Sequence, residues 1–199
     1  MKTATHVLVD AMTSLAEHGF AVVDNFLAAD VIDGLAGEAR AGFAQGRGKP
    51  AHIGQAQARQ QRLDVRGDAI IWLDTPASAA QRAYFAAIEI LREQCNRTHL
   101  LNLQTFECHF AHYGPGRAYA RHRDVFLQDD RRVLSLSLYL NKDWDAAYGG
   151  ELRLYTAEGP IDVLPHSGTL ALFLARDIEH EVLPATRDRY SLTGWLRRR

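Results

Sequence analysis

The run Val133-Leu134-Ser135-Leu136-Ser137-Leu138-Tyr139-Leu140 alternates without a break. Successive side chains of a β-strand point to opposite faces, so the leucines share one side and Val133, Ser135, Ser137 and Tyr139 the other. Such a strand buries its leucines in an apolar layer and turns hydroxyls toward a polar cavity. The C-terminal stretch repeats the pattern. Arg189, Ser191 and Thr193 fall on one face, with Tyr190 and Leu192 opposite.

The rest of the chain supports a sheet-rich core. From residue 104, eight short strands are expected between turn residues: Gln104–Tyr113, Tyr119–Asp124, Val133–Leu140, Glu151–Tyr155, Ile161–Leu164, Thr169–Leu174, Glu181–Pro184 and Arg189–Leu196. Gly114-Pro115-Gly116, Gly149-Gly150 and His166-Ser167-Gly168 mark the clearest turns. The first half reads as an opening amphipathic helix (Val7, Leu8, Met12, Leu15), a strand at Phe20–Asp24, a helix over Ala29–Gln45, a strand at Ala69–Asp74 and a helix over Ser78–Asn96. Between them, Gly46–Asp68 is polar and aperiodic, as functional lid loops often are. The expected fold is α+β and mainly β. A double-stranded β-helix, or jelly roll, is braced by N-terminal helices. With 199 residues and no internal linker, one domain is expected. Residues 1–103 would form the helical support and lid, and 104–199 the jelly-roll core.

The chemistry concentrates in that core as His122-x-Asp124, His180 and Arg189. A lone His-x-Asp is weak evidence in a chain with nine histidines. On a strand, however, residues i and i+2 point the same way and can present imidazole and carboxylate together. Two histidines and one carboxylate occupy one face of an octahedral Fe(II) and leave three positions open. Structural zinc favours thiolates, and neither Cys95 nor Cys108 has a partner at metal-binding spacing. Arg189 lies where a strand could carry it past the metal to grip a second, anionic ligand, because guanidinium binds carboxylate in a bidentate, charge-assisted way. Together these residues suggest an oxygenase that uses iron and 2-oxoglutarate.

Composition narrows the alternatives. Apolar residues make up 47% and charged residues 24%, ordinary for a globular chain, and the net charge of −1 argues against a dedicated nucleic-acid binder. Two cysteines suggest a reducing compartment, and neither a signal peptide nor a membrane span is evident, so a cytoplasmic location is expected. Asp143 and Trp144 follow a strand and read as a structural turn. Trp195 reads as core packing. His112 and His166 read as loop or turn histidines. His109 shares a face with Tyr113, which leaves packing and pocket lining both open.

The segments HGFAVVDNFL at 18–27, VRGDAIIWLD at 65–74, HYGPGRAYARHRD at 112–124, YLNKDWDAAYGGELRLY at 139–155 and HEVLPATRDRYSLTGW at 180–195 cover most of the chain. In them it resembles the 2-oxoglutarate-dependent prolyl hydroxylases, specifically the hypoxia-sensing group and its bacterial relatives. The resemblance implies Fe(II) held by His122, Asp124 and His180, with 2-oxoglutarate and O₂ as cosubstrates. It implies that Arg189 and Tyr139 contact the distal carboxylate, Tyr113 lines the pocket and Thr193 supplies a supporting hydroxyl. The segment ending at Arg66-Gly67-Asp68 matches the lid that folds over a peptide. The implied reaction hydroxylates a prolyl residue of a protein or peptide and releases succinate and CO₂, with ascorbate as a reductant.

Two departures bear on the choice of substrate. The chain stops at Arg199, without the C-terminal helix of longer relatives, and the segment between Tyr113 and His122 is shorter. Two other functions fit the same fold. A nucleic-acid demethylase would carry a second inward arginine where this chain reads RYSLTGW. A non-catalytic sensor of metal or 2-oxoglutarate would bind without turnover. The carboxylate of Asp124 speaks against a halogenase, which needs that position open for halide.

Overall fold

The structure, a computed structural model, describes residues 4–51, 65–125 and 130–199. The N-terminal part contains α1 (Ala4–His18), β1 (Phe20–Val23), α2 (Ala29–Ala44), β2 (Lys49–Pro50), β3 (Ala69–Trp72) and α3 (Ala79–His99). The C-terminal part contains β4 (Thr105–Tyr113), β5 (Tyr119–His122), β6 (Arg132–Tyr139), β7 (Leu152–Thr156), β8 (Gly159–Val163), β9 (Leu170–Leu174), β10 (Glu179–Val182) and β11 (Arg189–Arg197). These eight strands are the ones expected, with ends displaced by two residues at most.

The strands form two antiparallel sheets. The larger runs β1-β9-β6-β11-β4-β3-β2 and the smaller β5-β10-β7-β8. The three helices cover the outer face of the larger sheet. There Leu35, Tyr84 and Leu91 from the helices meet Leu134, Leu136 and Leu192 from β6 and β11. Each fully buried leucine contributes roughly 1.5–3 kcal/mol, so this layer holds the sheet flat against its helices. The opposite face of the same strands turns toward the smaller sheet and carries the hydroxyl groups. This is a double-stranded β-helix braced by N-terminal helices.

Local chemistry sets the helix ends. Ser78 accepts a hydrogen bond from the Gln81 backbone N–H at 3.0 Å and starts α3. That helix runs one turn beyond the expected Asn96, and Leu100 ends it in a left-handed conformation with φ of 53°. Asp143 also has a positive φ of 51°, and Trp144 donates from Nε1 to the Gly149 carbonyl at 3.0 Å, which confirms the structural turn.

Two expectations near the site are corrected. β5 ends at His122, so Asp124 lies in a bend beyond the strand and not on its face. β10 starts at Glu179, so His180 lies within the strand; pairing with β7 (Glu179 opposite Tyr155) and β5 (His180 opposite His122) extends it to that point. The lid loop expected over Gly46–Asp68 begins with β2, and its residues 52–64 lie outside the described residues. Its end is extended along β5, where the Gly67 N–H donates to Ala118 at 2.9 Å and the Ala120 N–H to Val65 at 2.8 Å. Among the described residues no helix is long and apolar enough to cross a membrane.

Candidate active site

The two sheets enclose a cleft lined by Arg66, His122, Asp124, His180 and Arg189, among others. His180 and His122 are cross-strand neighbours, and their ring centroids are 4.2 Å apart. Asp124 closes the group. Its Oδ1 lies 3.6 Å from Nε2 of His122 and its Oδ2 3.5 Å from Nε2 of His180. One donor atom from each residue falls within 4.8 Å of the others.

Neighbouring groups orient all three. Nδ1 of His122 faces the Ala120 carbonyl at 2.8 Å, and Nδ1 of His180 faces the Ile178 carbonyl at 3.5 Å. A proton on each Nδ1 leaves the Nε2 lone pairs turned inward, the tautomer a metal requires. Ser135 donates to Oδ2 of Asp124 at 2.6 Å. Burial alone would raise the Asp124 carboxyl, but the two histidines and Ser135 hold it well below the usual carboxylate range. Burial pushes His180 down to about 4, against the pull of Asp124. The group thus presents a neutral His180 imidazole and an ionised Asp124 carboxylate.

The inner end of the cleft is built around Arg189, which is 1% exposed. Its Nε donates to the Gly150 carbonyl at 2.7 Å, and its guanidinium carbon lies 5.3 Å and 5.1 Å from the ring centroids of Tyr113 and Tyr139. Among the described residues no carboxylate pairs with it. Among the described residues the buried Tyr139 hydroxyl has no hydrogen-bond partner, and burial pushes its phenol up to about 12. Burial also raises Tyr113. Thr193 Oγ1 lies 3.1 Å from Ser137 Oγ and 3.2 Å from Ser191 Oγ, which continues a row of hydroxyls.

At the outer end, Arg66 donates to Asp68 through Nε at 2.7 Å and through Nη2 at 3.0 Å. Burial works against the Arg66 cation, but the Asp68 carboxylate more than offsets it, so Arg66 is raised overall. The Arg66 guanidinium lies 4.8 Å above the Tyr119 ring, which itself stacks on His122 at 3.6 Å.

The contact of Tyr119 with His122 was not expected from the sequence, because no strand pattern encodes it. Trp195, expected to be core packing, is 4% exposed but lines the cleft, with Arg132 stacked 3.5 Å above its ring. The alternation that turns Arg189, Ser191 and Thr193 inward reaches Trp195 as well, so the signal was present. His109 also lines the cleft. His112 is a strand residue on the outer face, stacked on Tyr190 and bonded to Asp188 at 2.7 Å.

The fold and this site define a class. Residues 108–197 match the family model described as the 2OG-Fe(II) oxygenase superfamily. A crystal structure of a Pseudomonas putida prolyl-4-hydroxylase superposes with a TM-score of 0.87 at 44% identity, covering 96% of this chain and 99% of that one. A Trichoplax adhaerens prolyl hydroxylase, solved with a hypoxia-inducible factor peptide fragment, also has a TM-score of 0.87, at 26% identity over 99% of this chain and 94% of that one. Human Egl nine homolog 1 is 31% identical over 98% of this chain. The match takes in 47% of the human protein, so the chain spans about half the length of that curated relative. The chain belongs to the prolyl hydroxylase family of 2OG-Fe(II) oxygenases.

The residues present fit both groups in that superfamily's name. Two oriented imidazoles and a carboxylate suit Fe(II). A buried cation with no carboxylate partner among the described residues, beside a buried hydroxyl with no acceptor among them, suits the distal carboxylate of 2-oxoglutarate.

Proposed function

We propose that this protein is an Fe(II)- and 2-oxoglutarate-dependent dioxygenase that hydroxylates a prolyl residue in a protein or peptide and releases succinate and CO₂. The observation that carries the reading is Arg189: a buried guanidinium that, among the described residues, has no carboxylate partner and faces the unpaired hydroxyl of Tyr139, at the inner end of the cleft that holds the His122, Asp124 and His180 cluster. The Trichoplax relative, solved with a peptide, supports a peptide substrate.

In this reading His122, Asp124 and His180 hold the iron. Arg189 and Tyr139 anchor the distal carboxylate of the cosubstrate, with Tyr113 and Thr193 lining its pocket. Bound iron and 2-oxoglutarate supply the activation of O₂. The protein keeps the His180 imidazole neutral, holds Asp124 ionised and excludes bulk water from the inner end. Arg66 and Asp68 border the mouth where the peptide enters, and their ion pair fixes the segment beside Tyr119.

The same reading takes residues 1–199 as one working domain. Its setting is cytoplasmic, in keeping with Cys95 and Cys108 as buried free thiols. Ascorbate serves as the reductant that keeps the iron ferrous.

Anaerobic loading with Fe(II) and 2-oxoglutarate provides the test. A visible metal-to-ligand charge-transfer band is expected in the wild type and a much weaker one in Arg189→Ala. Hydroxyproline should then be found by mass spectrometry in protein substrates. Full iron loading with no band in the wild type would refute the cosubstrate site.

A further inference from the structure

His109 is a third histidine of the cleft, and the chemistry above gives it no task. It lies on β4 with 1% of its surface exposed, in register with Thr193 on β11 and Trp72 on β3. Its ring meets that of Trp72 edge-on at 4.8 Å and that of Trp195 at 5.5 Å between centroids. Among the described residues it has no hydrogen-bond partner, and its Nδ1 is buried without one. Nε1 of Trp195 is in the same condition. A buried polar group left unpaired costs roughly 1–3 kcal/mol, so two on one wall call for an explanation.

Neither group serves the metal or the cosubstrate end. The clustered donor atoms belong to His122, Asp124 and His180. Arg189 pairs with Tyr113 and Thr193 with His109, so His109 stands four strand positions away from the Arg189 level. At about 3.3 Å per residue that is roughly 13 Å. On the other side Trp72 is 42% exposed. The wall Trp195, His109, Trp72 therefore leads from the cleft interior to the surface, as an entering extended chain would run.

We infer that His109 is a specificity-determining residue that accepts one hydrogen bond from a backbone N–H flanking the target prolyl residue. This deepens the prolyl hydroxylase reading and rests on it. A prolyl residue has no N–H of its own, so the nearest donors are the amides on either side. A neutral imidazole offers one acceptor nitrogen, and burial keeps His109 neutral by pushing it down to about 3. Trp195 Nε1–H can only donate, which matches a peptide carbonyl on the same chain. A site built around such bonds rejects a ligand that lacks them, because its own polar groups then stay unpaired.

The test uses the full chain with Fe(II) and 2-oxoglutarate and a set of acetylated, amidated pentapeptides with a central proline. The peptide turned over best is compared with derivatives N-methylated at the amide before or after the proline. His109→Phe is expected to raise the peptide KM at least tenfold, with the KM for 2-oxoglutarate and peptide-free succinate formation unchanged. His109→Asn, which keeps an acceptor, should restore much of the loss. One N-methylation should cost the wild type a similar factor and add nothing in His109→Phe. An unchanged peptide KM in His109→Phe, or equal sensitivity of both proteins to each N-methylation, would overturn the inference alone. If iron and 2-oxoglutarate bind but no peptide of the set is hydroxylated, the prolyl reading falls and takes this inference with it. Should His109→Phe not fold, ring ¹⁵N resonances of His109 in the Zn(II)-loaded wild type decide. A shift with the parent peptide that one N-methyl derivative fails to give supports the bond, and no shift with any of them overturns it.

Discussion

His180 on β10 directly faces His122 on β5, with ring centroids 4.2 Å apart. Strand register thus places two of the three donors, whereas Asp124 comes from a bend and needs its own anchor. Ser135 supplies it from the facing sheet through the 2.6 Å bond to Oδ2. Ser135→Ala should lower Fe(II) affinity about 10–100-fold, as loss of a group orienting a metal ligand typically does. Anaerobic competition against a chelator measures this, and unchanged affinity would mean that the bend holds Asp124 unaided.

Tyr139 separates stability from binding. Among the described residues its buried hydroxyl has no partner before cosubstrate arrives. Tyr139→Phe should therefore leave the ligand-free protein as stable as the wild type, or more stable by about 1 kcal/mol. Affinity for 2-oxoglutarate should fall, because a hydrogen bond to a charged group contributes roughly 1.5–3 kcal/mol, about 10–150-fold. Denaturant melts and calorimetric titration, run on both proteins, test the two signs together. A parallel loss of stability and affinity would contradict the assignment.

Most of the core was legible because it follows strand alternation. The β6 run separates leucines that meet the helices from hydroxyls that face the cleft, and β11 does the same around Arg189. Those two patterns locate the sheet, its buried side and its anion-binding end. The metal donors were legible as residue types, but not their geometry. Asp124 belongs to a bend whose position depends on Ser135 in the other sheet, and His180 joins its strand only because β5 and β7 pair with it. Tyr119 was missed because residues i and i+3 of a regular strand point to opposite faces, whereas the register of β5 against β10 shifts between His122 and Tyr119. Trp195 is buried as expected, but its place on the cleft wall was missed by stopping at Thr193 a pattern that continues to the next inward position.

Gly149 and Gly150 tie the loop before β7 to the Arg189 side chain. Gly149 has φ of 70° and ψ of −148°, and an added Cβ would lie 2.6 Å from the Pro184 carbonyl oxygen. An L side chain there is strained by about 1–3 kcal/mol even before the clash. Gly149→Ala should lower the melting temperature. It should also weaken 2-oxoglutarate binding, because the neighbouring Gly150 carbonyl holds Nε of Arg189. Iron affinity should be spared. Paired iron and 2-oxoglutarate titrations check the contrast, and an equal loss of both ligands would point to general unfolding.

The pH dependence of stability follows from His109. Burial pushes it down to about 3 in the folded protein, whereas an unfolded histidine titrates near 6.5. Between those values the unfolded chain binds the extra proton. The stability from keeping His109 neutral is therefore full above pH 6.5 and is lost progressively as pH falls toward 3. At pH 5 this single group should cost on the order of 2 kcal/mol relative to pH 7.5, from about 1.4 kcal/mol per pH unit. Buried His180, held at about 4, shifts stability in the same direction in the metal-free protein. Urea melts of metal-free wild type and His109→Asn at both pH values isolate the His109 contribution. The variant should lose less stability on acidification, and identical losses would show that His109 gains a proton without leaving its site.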